Sequence, residues 1–273
     1  MAASRTEAQE AIRAGLVTVD GAPASKPATQ VTMAQALVVA APPRAYVSRG
    51  GEKLAHALEV FGVDPTGRRC LDAGVSTGGF TDCLLQHGAD HVLAYDVGYG
   101  QVHETIRTHP RVSVHERTNV RDLTPEVVPG PPPELLVADL SFISLVSVLP
   151  VLRTLLAPGA EAVVLVKPQF EAERGQVGKG GVVRDPEVWR ACLARVADAA
   201  PPLGWRLAGA SASSLLGPAG NVEFLVHLVD REAASDASDP AGELETDDAA
   251  SLIGTAVDEG VARRAAGSAV APR

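Results

Sequence analysis

The hydrophobic pattern changes character along this chain, and each change marks a region. In residues 5–14 the apolar positions Ala8, Ala11 and Ile12 recur at helical spacing, and Gly15 follows where a helix end favours glycine. Val17 and Val19 alternate with Thr18 and Asp20 as in a half-buried strand, and Asp20-Gly21 signals a tight turn. A second strand is expected around Leu37–Val39. Pro42-Pro43 then stiffens the chain, so residues 1–41 read as a small domain and 42–47 as a linker. Over residues 48–229 strands and helices alternate. Strands are expected at Arg69–Leu71, His91–Tyr95, Arg111–Val114, Leu135–Ala138, Ala162–Val166, Arg206–Ala210 and Val222–Val229. Helices are expected between them, at Glu52–Phe61, Gly79–Gln86, Val146–Leu155 and Pro186–Ala199. The runs Leu135–Ala138 and Ala162–Val166 are apolar throughout, which suits strands buried on both faces. An α/β domain with a parallel sheet covered by helices follows. Residues 230–273 turn to Ala, Asp, Glu, Gly and Ser. They read as a disordered tail, with at most a short transient helix at Leu252–Val257.

Charge changes this picture in one respect. The net charge is −9, which argues against a strongly basic nucleic-acid binder. Yet the tail from Asp230 holds ten acidic and four basic residues, a net of −6, so the rest carries only −3. Local surface rather than total charge decides binding. The first 53 residues hold six basic and four acidic side chains. No apolar run reaches the roughly eighteen residues of a membrane span, and Glu7 and Glu10 interrupt any secretory signal. Cys70, Cys83 and Cys192 lack metal-ligand spacing. Reduced core thiols, no metal site, no membrane and a cytoplasmic location are the expectation.

The most informative local segment is Cys70-Leu-Asp-Ala-Gly-Val-Ser-Thr-Gly-Gly-Phe-Thr81. A strand enters, a glycine-rich loop turns, and a helix leaves. Glycines let a backbone approach a ligand closely, and such loops bind ligands beyond the carboxyl ends of parallel strands. The loop does not fit the dinucleotide G-x-G-x-x-G pattern, since Val75 and Ser76 follow Gly74, and no Gly-Lys-Ser/Thr makes it a Walker loop. Its Asp-x-Gly form suits S-adenosyl-L-methionine, which has no phosphate, with Asp72 tolerated near the ammonium group. The plain alternative is a tight strand-to-helix turn. Asp96 ends the next strand, about twenty residues past the loop, where a carboxylate can accept from ribose hydroxyls. Beyond the third strand Asn119 can hydrogen-bond an adenine while Val120 packs on its face. Asp122 reads as a helix cap that could also face the adenine.

Four further polar residues stand where a bland sequence would not place them. Lys53 lies near the start of a helix, Asp139 and Lys167 end buried apolar runs, and Glu223 lies just inside a strand. Each alone has an ordinary reading as a cap or an exposed strand end. Together, beside the loop, two lysines and two carboxylates suit methyl transfer to a poor nucleophile. There the enzyme must align the groups and help remove a proton. A lysine can act as base only when its amine is partly neutral, which burial and a neighbouring cation promote.

The set Lys53, Asp139, Lys167 and Glu223 resembles the Lys-Asp-Lys-Glu tetrad of FtsJ/RrmJ-like ribose 2′-O-methyltransferases. The words Ser-Arg-Gly-Gly-Glu-Lys-Leu, Leu-Asp-Ala-Gly-Val-Ser-Thr-Gly-Gly-Phe-Thr-Asp, Tyr-Asp-Val-Gly-Tyr-Gly-Gln, Ala-Asp-Leu-Ser-Phe-Ile-Ser, Val-Lys-Pro-Gln-Phe-Glu and Gly-Asn-Val-Glu-Phe resemble the TlyA family more closely still. That family, also called haemolysin A-like, methylates rRNA cytidine at the 2′-oxygen. The likeness covers about residues 4–229. It implies a Rossmann-like class I methyltransferase with a seven-stranded, mostly parallel sheet, and a small truncated N-terminal alpha-L RNA-binding domain. It further implies Lys167 as the base, with Lys53, Asp139 and Glu223 positioning it and the substrate. Gly74, Ser76, Thr77 and Gly78 would line the methionine part of the cofactor, Asp96 its ribose, and Asn119 and Val120 its adenine. Ribosomal RNA or ribosomal subunits are the implied partners. Arg5, Arg13, Lys26, Arg44 and Arg49 are candidate RNA contacts, and the glycine-rich stretch 176–181 is a candidate lid or a plain surface loop. Family members carry a basic helix ahead of the segment that begins here near Ser4-Arg5, and that departure bears on RNA affinity more than on chemistry. Three competing functions remain on the sequence: a non-catalytic ribosome-assembly protein, a membrane-lytic haemolysin-like protein, and a nucleotide-dependent oxidoreductase. The intact tetrad, the lack of a strongly amphipathic basic helix and the missing dinucleotide fingerprint count against them in turn.

Overall fold

The computed structural model describes residues 5–13, 15–24, 26–40, 45–231 and 246–270. The chain divides into two compact units, Met1–Ala45 and Tyr46–Arg273, each taken here by itself.

In the first unit helix α1 (Arg5–Arg13) ends where the Gly15 N–H reaches back to the Ile12 carbonyl, with Gly15 at φ +72°. Strands β1 (Val17–Val19), β2 (Ala22–Pro23) and β3 (Leu37–Val39) form an antiparallel sheet in the order β2-β1-β3. Asp20 and Gly21 both have positive φ, which matches the twist a two-residue hairpin turn requires. Asp20 also accepts the Ala36 N–H at 2.8 Å, so the turn residue ties down the approach to β3.

The second unit is a sandwich of helices on a central sheet. In chain order it runs α2 (Arg49–Phe61), β4 (Arg69–Ala73), α3 (Gly79–Gln86), β5 (His91–Tyr95), α4 (Glu104–Arg107), β6 (Val112–His115), β7 (Leu135–Ala138), α5 (Leu145–Thr154), β8 (Glu161–Val166), α6 (Pro168–Glu171), α7 (Pro186–Ala199), β9 (Trp205–Ala212), β10 (Phe224–Asp230) and α8 (Thr246–Val270). The seven strands order as β6-β5-β4-β7-β8-β10-β9. Neighbours are parallel up to β8, and β10 is antiparallel to both β8 and β9. The strands β7 and β8 are buried almost throughout, as their apolar runs demand. One face packs against α2, α3 and α4 through Leu54, Leu58, Phe80, Leu84 and Ile106. The other packs against α5, α7 and α8 through Leu149, Leu152, Trp189, Val196, Ile253 and Val257. The order in which successive strands are added reverses between β4 and β7, and in such folds the crevice beyond that point is where ligands bind.

Two expectations need correction. The tail expected to be disordered carries α8, a helix of 25 residues whose Ile253, Ala256 and Val257 are buried in the core. These positions repeat at helical spacing, and a sheet face able to receive them overrides a solvating composition. Residues 232–245, also in that tail, lie outside the described residues. Glu223 does not lie inside a strand, because β10 begins one residue later at Phe224. Among the described residues no helix is long and apolar enough to cross a membrane, and no group of His, Cys, Asp or Glu could hold a metal ion.

Candidate active site

The site grows from the carboxyl ends of the parallel strands. After β4 the backbone passes through Gly74 at φ +93°, Ser76 at +50° and Gly78 at +100° before α3 begins. Glycine is required at position 74, because a Cβ there would sit 2.6 Å from the Asp139 carbonyl oxygen. The loop therefore lies directly on the end of β7, where the Asp139 N–H binds the Ala73 carbonyl at 3.0 Å. Asp96, at the end of β5, accepts the Ser76 N–H at 2.7 Å through one oxygen and the Gly98 N–H at 2.7 Å through the other. It shapes the loop and still has lone pairs for a ligand.

A cavity of about 530 Å³ opens between these ends. Of the candidate cofactor residues Gly74, Ser76, Asp96, Asn119 and Val120 line it, together with Asp139 of the tetrad. Gln101, Arg121, Ser141 and Phe142, which no motif singled out for a role, also line it. Thr77 and Gly78 are not on the wall. The Thr77 carbonyl binds the His103 N–H at 3.1 Å, and Gly78 packs against Ile106. Asp72, expected near an ammonium group, lies wholly buried under the loop and accepts the Thr81 hydroxyl at 2.6 Å. Burial pushes its pKa up to about 7, against the Thr81 hydrogen bond and with help from Asp139. Asn119 accepts the Arg121 N–H with its side-chain oxygen at 3.1 Å, which leaves the amide N–H groups to meet a ligand. Asp122 ends a short 3-10 turn and is exposed off the cavity wall, so it is not the cap of a following helix.

The four residues of the tetrad form two ion pairs along one edge of the sheet. Lys53, from the second turn of α2, pairs with Glu223, and both are buried. Lys167 follows β8 and pairs with Asp139 at 2.5 Å. Its ammonium also donates to the Ser141 hydroxyl at 2.9 Å. The pairing of Phe224 with Val166 brings Glu223 and Lys167 to neighbouring positions. Phe142 follows Ser141 at φ +65°, a costly conformation for a bulky residue, with its ring 91% exposed and 5.1 Å from the Phe170 ring. An aromatic held against both strain and solvent is a sign of binding that hydrophobic pattern alone does not reveal.

Of the candidate RNA contacts, Arg13, Lys26 and Arg49 are exposed. Arg44, and the side chain of Arg5, lie outside the described residues. The stretch 176–181 follows a 3-10 turn capped by Glu173 and returns the Gly178 N–H to the Val182 carbonyl at 3.2 Å.

A mostly parallel sheet with its crevice at the reversal point, a glycine loop over it and a carboxylate just past the second of its strands make an α/β domain built to take a ligand at that edge. The family model for FtsJ-like methyltransferases matches residues 46–229, about two thirds of the chain, and the chain belongs to that family. The S4 domain model matches residues 1–36. The 16S/23S rRNA (cytidine-2′-O)-methyltransferase TlyA of Mycobacterium tuberculosis is 55% identical over 229 residues, covering 84% of this chain and 85% of the relative. Hemolysin A of Brachyspira hyodysenteriae is 39% identical over 83% of this chain and 94% of its own length. A solved structure from Lactococcus lactis, also carrying a hemolysin name, superposes with a TM-score of 0.68 at 42% identity, over 77% of this chain and 97% of that one.

Proposed function

We propose that this protein transfers a methyl group from S-adenosyl-L-methionine to the ribose 2′-hydroxyl of cytidine in ribosomal RNA. The observation that carries this reading is the Lys167 amine, held by Asp139 and Ser141, both of which line a nucleoside-sized cavity. A neutral amine has two N–H bonds and one lone pair. Once the ammonium has given one proton to solvent, Asp139 and Ser141 accept from the two N–H bonds that remain, and the lone pair is left for a substrate hydroxyl. Lys167 then removes the proton as the oxygen attacks. The Lys53–Glu223 pair, buried behind it, fixes the floor on which this happens.

The cavity fits the cofactor by its chemistry. Asp96 has acceptor capacity for two ribose hydroxyls, Asn119 offers amide N–H groups to adenine, and Val120 offers an apolar face. Among the described residues Arg121 is the single Lys or Arg on the wall, which suits a ligand without phosphates. When bound, S-adenosyl-L-methionine supplies a methyl on a sulfonium that departs as a neutral thioether, so no acid is required. Asp72 supports the loop from beneath through Thr81 rather than touching the ligand. Phe142 and Phe170 present aromatic faces on which an unstacked base can rest. Arg13 and Lys26 on the N-terminal unit and Arg49 on α2 supply charge for RNA phosphates. A ribosomal substrate places the work in the cytoplasm.

The test is transfer of labelled methyl to purified ribosomal subunits, followed by digestion to nucleosides. The reading requires 2′-O-methylcytidine. Label on a base, or no label on either subunit, overturns it, and the second outcome turns the reading to a non-catalytic RNA-binding protein.

A further inference from the structure

Helix α8 lies beyond the residues that the methyltransferase family model covers, and no step above uses it. Its contacts nonetheless converge on Glu223. Gly260 is buried against the residues on either side of it: a Cβ at Gly260 would lie 3.0 Å from Phe224 Cε1 and 3.0 Å from Val222 Cγ1. One residue earlier, the Glu259 carboxylate accepts the Ala212 N–H at 2.9 Å and the Ser211 hydroxyl at 2.8 Å. The next residue of that strand end, Ser213, donates its N–H to the Glu223 carbonyl at 2.8 Å. Ser211 Oγ also lies 3.3 Å from His56 Nε2 on α2, one turn after Lys53, which pairs with the Glu223 carboxylate.

We propose that α8 positions Glu223, with Glu259 and Gly260 as the positioning residues. The proposal rests on the reading of Glu223 as part of the methyl-transfer site. The helix touches the chain before Glu223, the chain after it, and the strand end that holds its carbonyl. A helix that merely covered the sheet would need apolar contact alone. Here a carboxyl group reaches the strand end opposite Glu223 and accepts two hydrogen bonds. A glycine sits where a side chain would push Val222 and Phe224 aside. The reaction depends on sub-ångström alignment, so a small shift of Glu223 is felt at the Lys53 pair and in turnover.

The experiment uses the full chain with Glu259→Ala, Glu259→Gln and Gly260→Leu. It measures kcat for methyl transfer to ribosomal subunits, the S-adenosyl-L-methionine Kd by calorimetry, and amide hydrogen exchange at Ser213. Glu259→Ala should lower kcat about tenfold and speed Ser213 exchange, while the cofactor Kd stays within about twofold. Glu259→Gln should keep most of the activity, since its carbonyl oxygen still accepts both donors. Gly260→Leu should lower kcat by about a hundredfold. Unchanged kcat and Ser213 exchange in both Glu259→Ala and Gly260→Leu overturn the proposal. So does a parallel fall of kcat, cofactor affinity and Tm, which would make α8 a stabilising element only. If the wild type transfers no methyl, the functional reading fails, and Ser213 exchange alone decides the positioning: faster in Glu259→Ala supports it, unchanged overturns it.

Discussion

Lys53 and Lys167 each meet a carboxylate at the same sheet edge, yet their surroundings differ. The Lys53–Glu223 pair joins residues 170 positions apart, and its side chains are 7% and 1% exposed. The Lys167–Asp139 pair is 10% and 24% exposed, borders the cavity, and shares a third partner in Ser141. A buried pair gains from mutual attraction but loses hydration, so its net contribution is small while the cost of breaking it is large. A pair open on one side to a ligand can change partners during a reaction. The comparison therefore supports the proposal that the first pair holds the site and the second acts in it.

The largest effect that could break this assignment is in turnover. Lys167→Ala should lower kcat by roughly 10²–10⁴-fold, the span of general-base catalysis. Its S-adenosyl-L-methionine affinity, measured by calorimetry, should stay near wild type. Near-normal turnover would take the base away from Lys167. For the buried pair the first loss should be in the fold. Lys53→Ala should cost about 3–5 kcal/mol in urea unfolding, because it leaves Glu223 buried and unpaired. The apolar double variant Lys53→Met with Glu223→Leu should recover most of that stability without recovering transfer. Restored transfer would reduce the pair to a strut with no further role.

Smaller effects sharpen the cofactor side of the comparison. Asp96→Ala removes the acceptor of the Ser76 and Gly98 N–H groups as well as a ligand contact. It should weaken S-adenosyl-L-methionine binding by roughly 1–3 kcal/mol, with Lys167-dependent proton removal intact. A Kd unchanged by calorimetry would separate Asp96 from the cofactor. A last effect concerns Asp72. Its folded pKa is raised from 3.8 to about 7, so the native state holds a proton that the unfolded chain has released. That contribution is fully present below the unfolded value and is lost as pH rises through about 7. Stability should therefore fall across this window, and Asp72→Asn should flatten the fall while keeping an acceptor for Thr81. An identical pH profile in the variant would put the titration elsewhere.

Much of the architecture was legible before the fold. The buried runs at Leu135–Ala138 and Ala162–Val166, the turn at Asp20-Gly21 and the glycine loop after β4 all state local requirements, and local requirements are written in adjacent residues. The four tetrad residues stood out as polar side chains against apolar runs, but their pairing was not legible, since nothing in spacing joins Lys53 to Glu223. Ser141 and Phe142 belong to the segment Ala-Asp-Leu-Ser-Phe-Ile-Ser, where neither spacing nor residue type gives them a role. Their roles come from distance to Lys167 and from a strained, exposed ring. The tail misled because an Ala-rich acidic composition predicts solvation, whereas Ile253, Ala256, Val257 and Gly260 find a surface to cover.

The sequence by itself determined most of the strands and helices, the glycine loop after β4 and the residue types available for chemistry. These depend on periodicity, turn geometry and side-chain capacity within a few neighbours. Only the tertiary structure decided which lysine meets which carboxylate, which of Asp72 and Asp96 faces the cavity, and that a helix some thirty residues downstream rests beside Glu223. Those outcomes depend on burial and on contacts between distant segments. No local pattern encodes them, because the energy that selects them exists only once the sheet has closed its core.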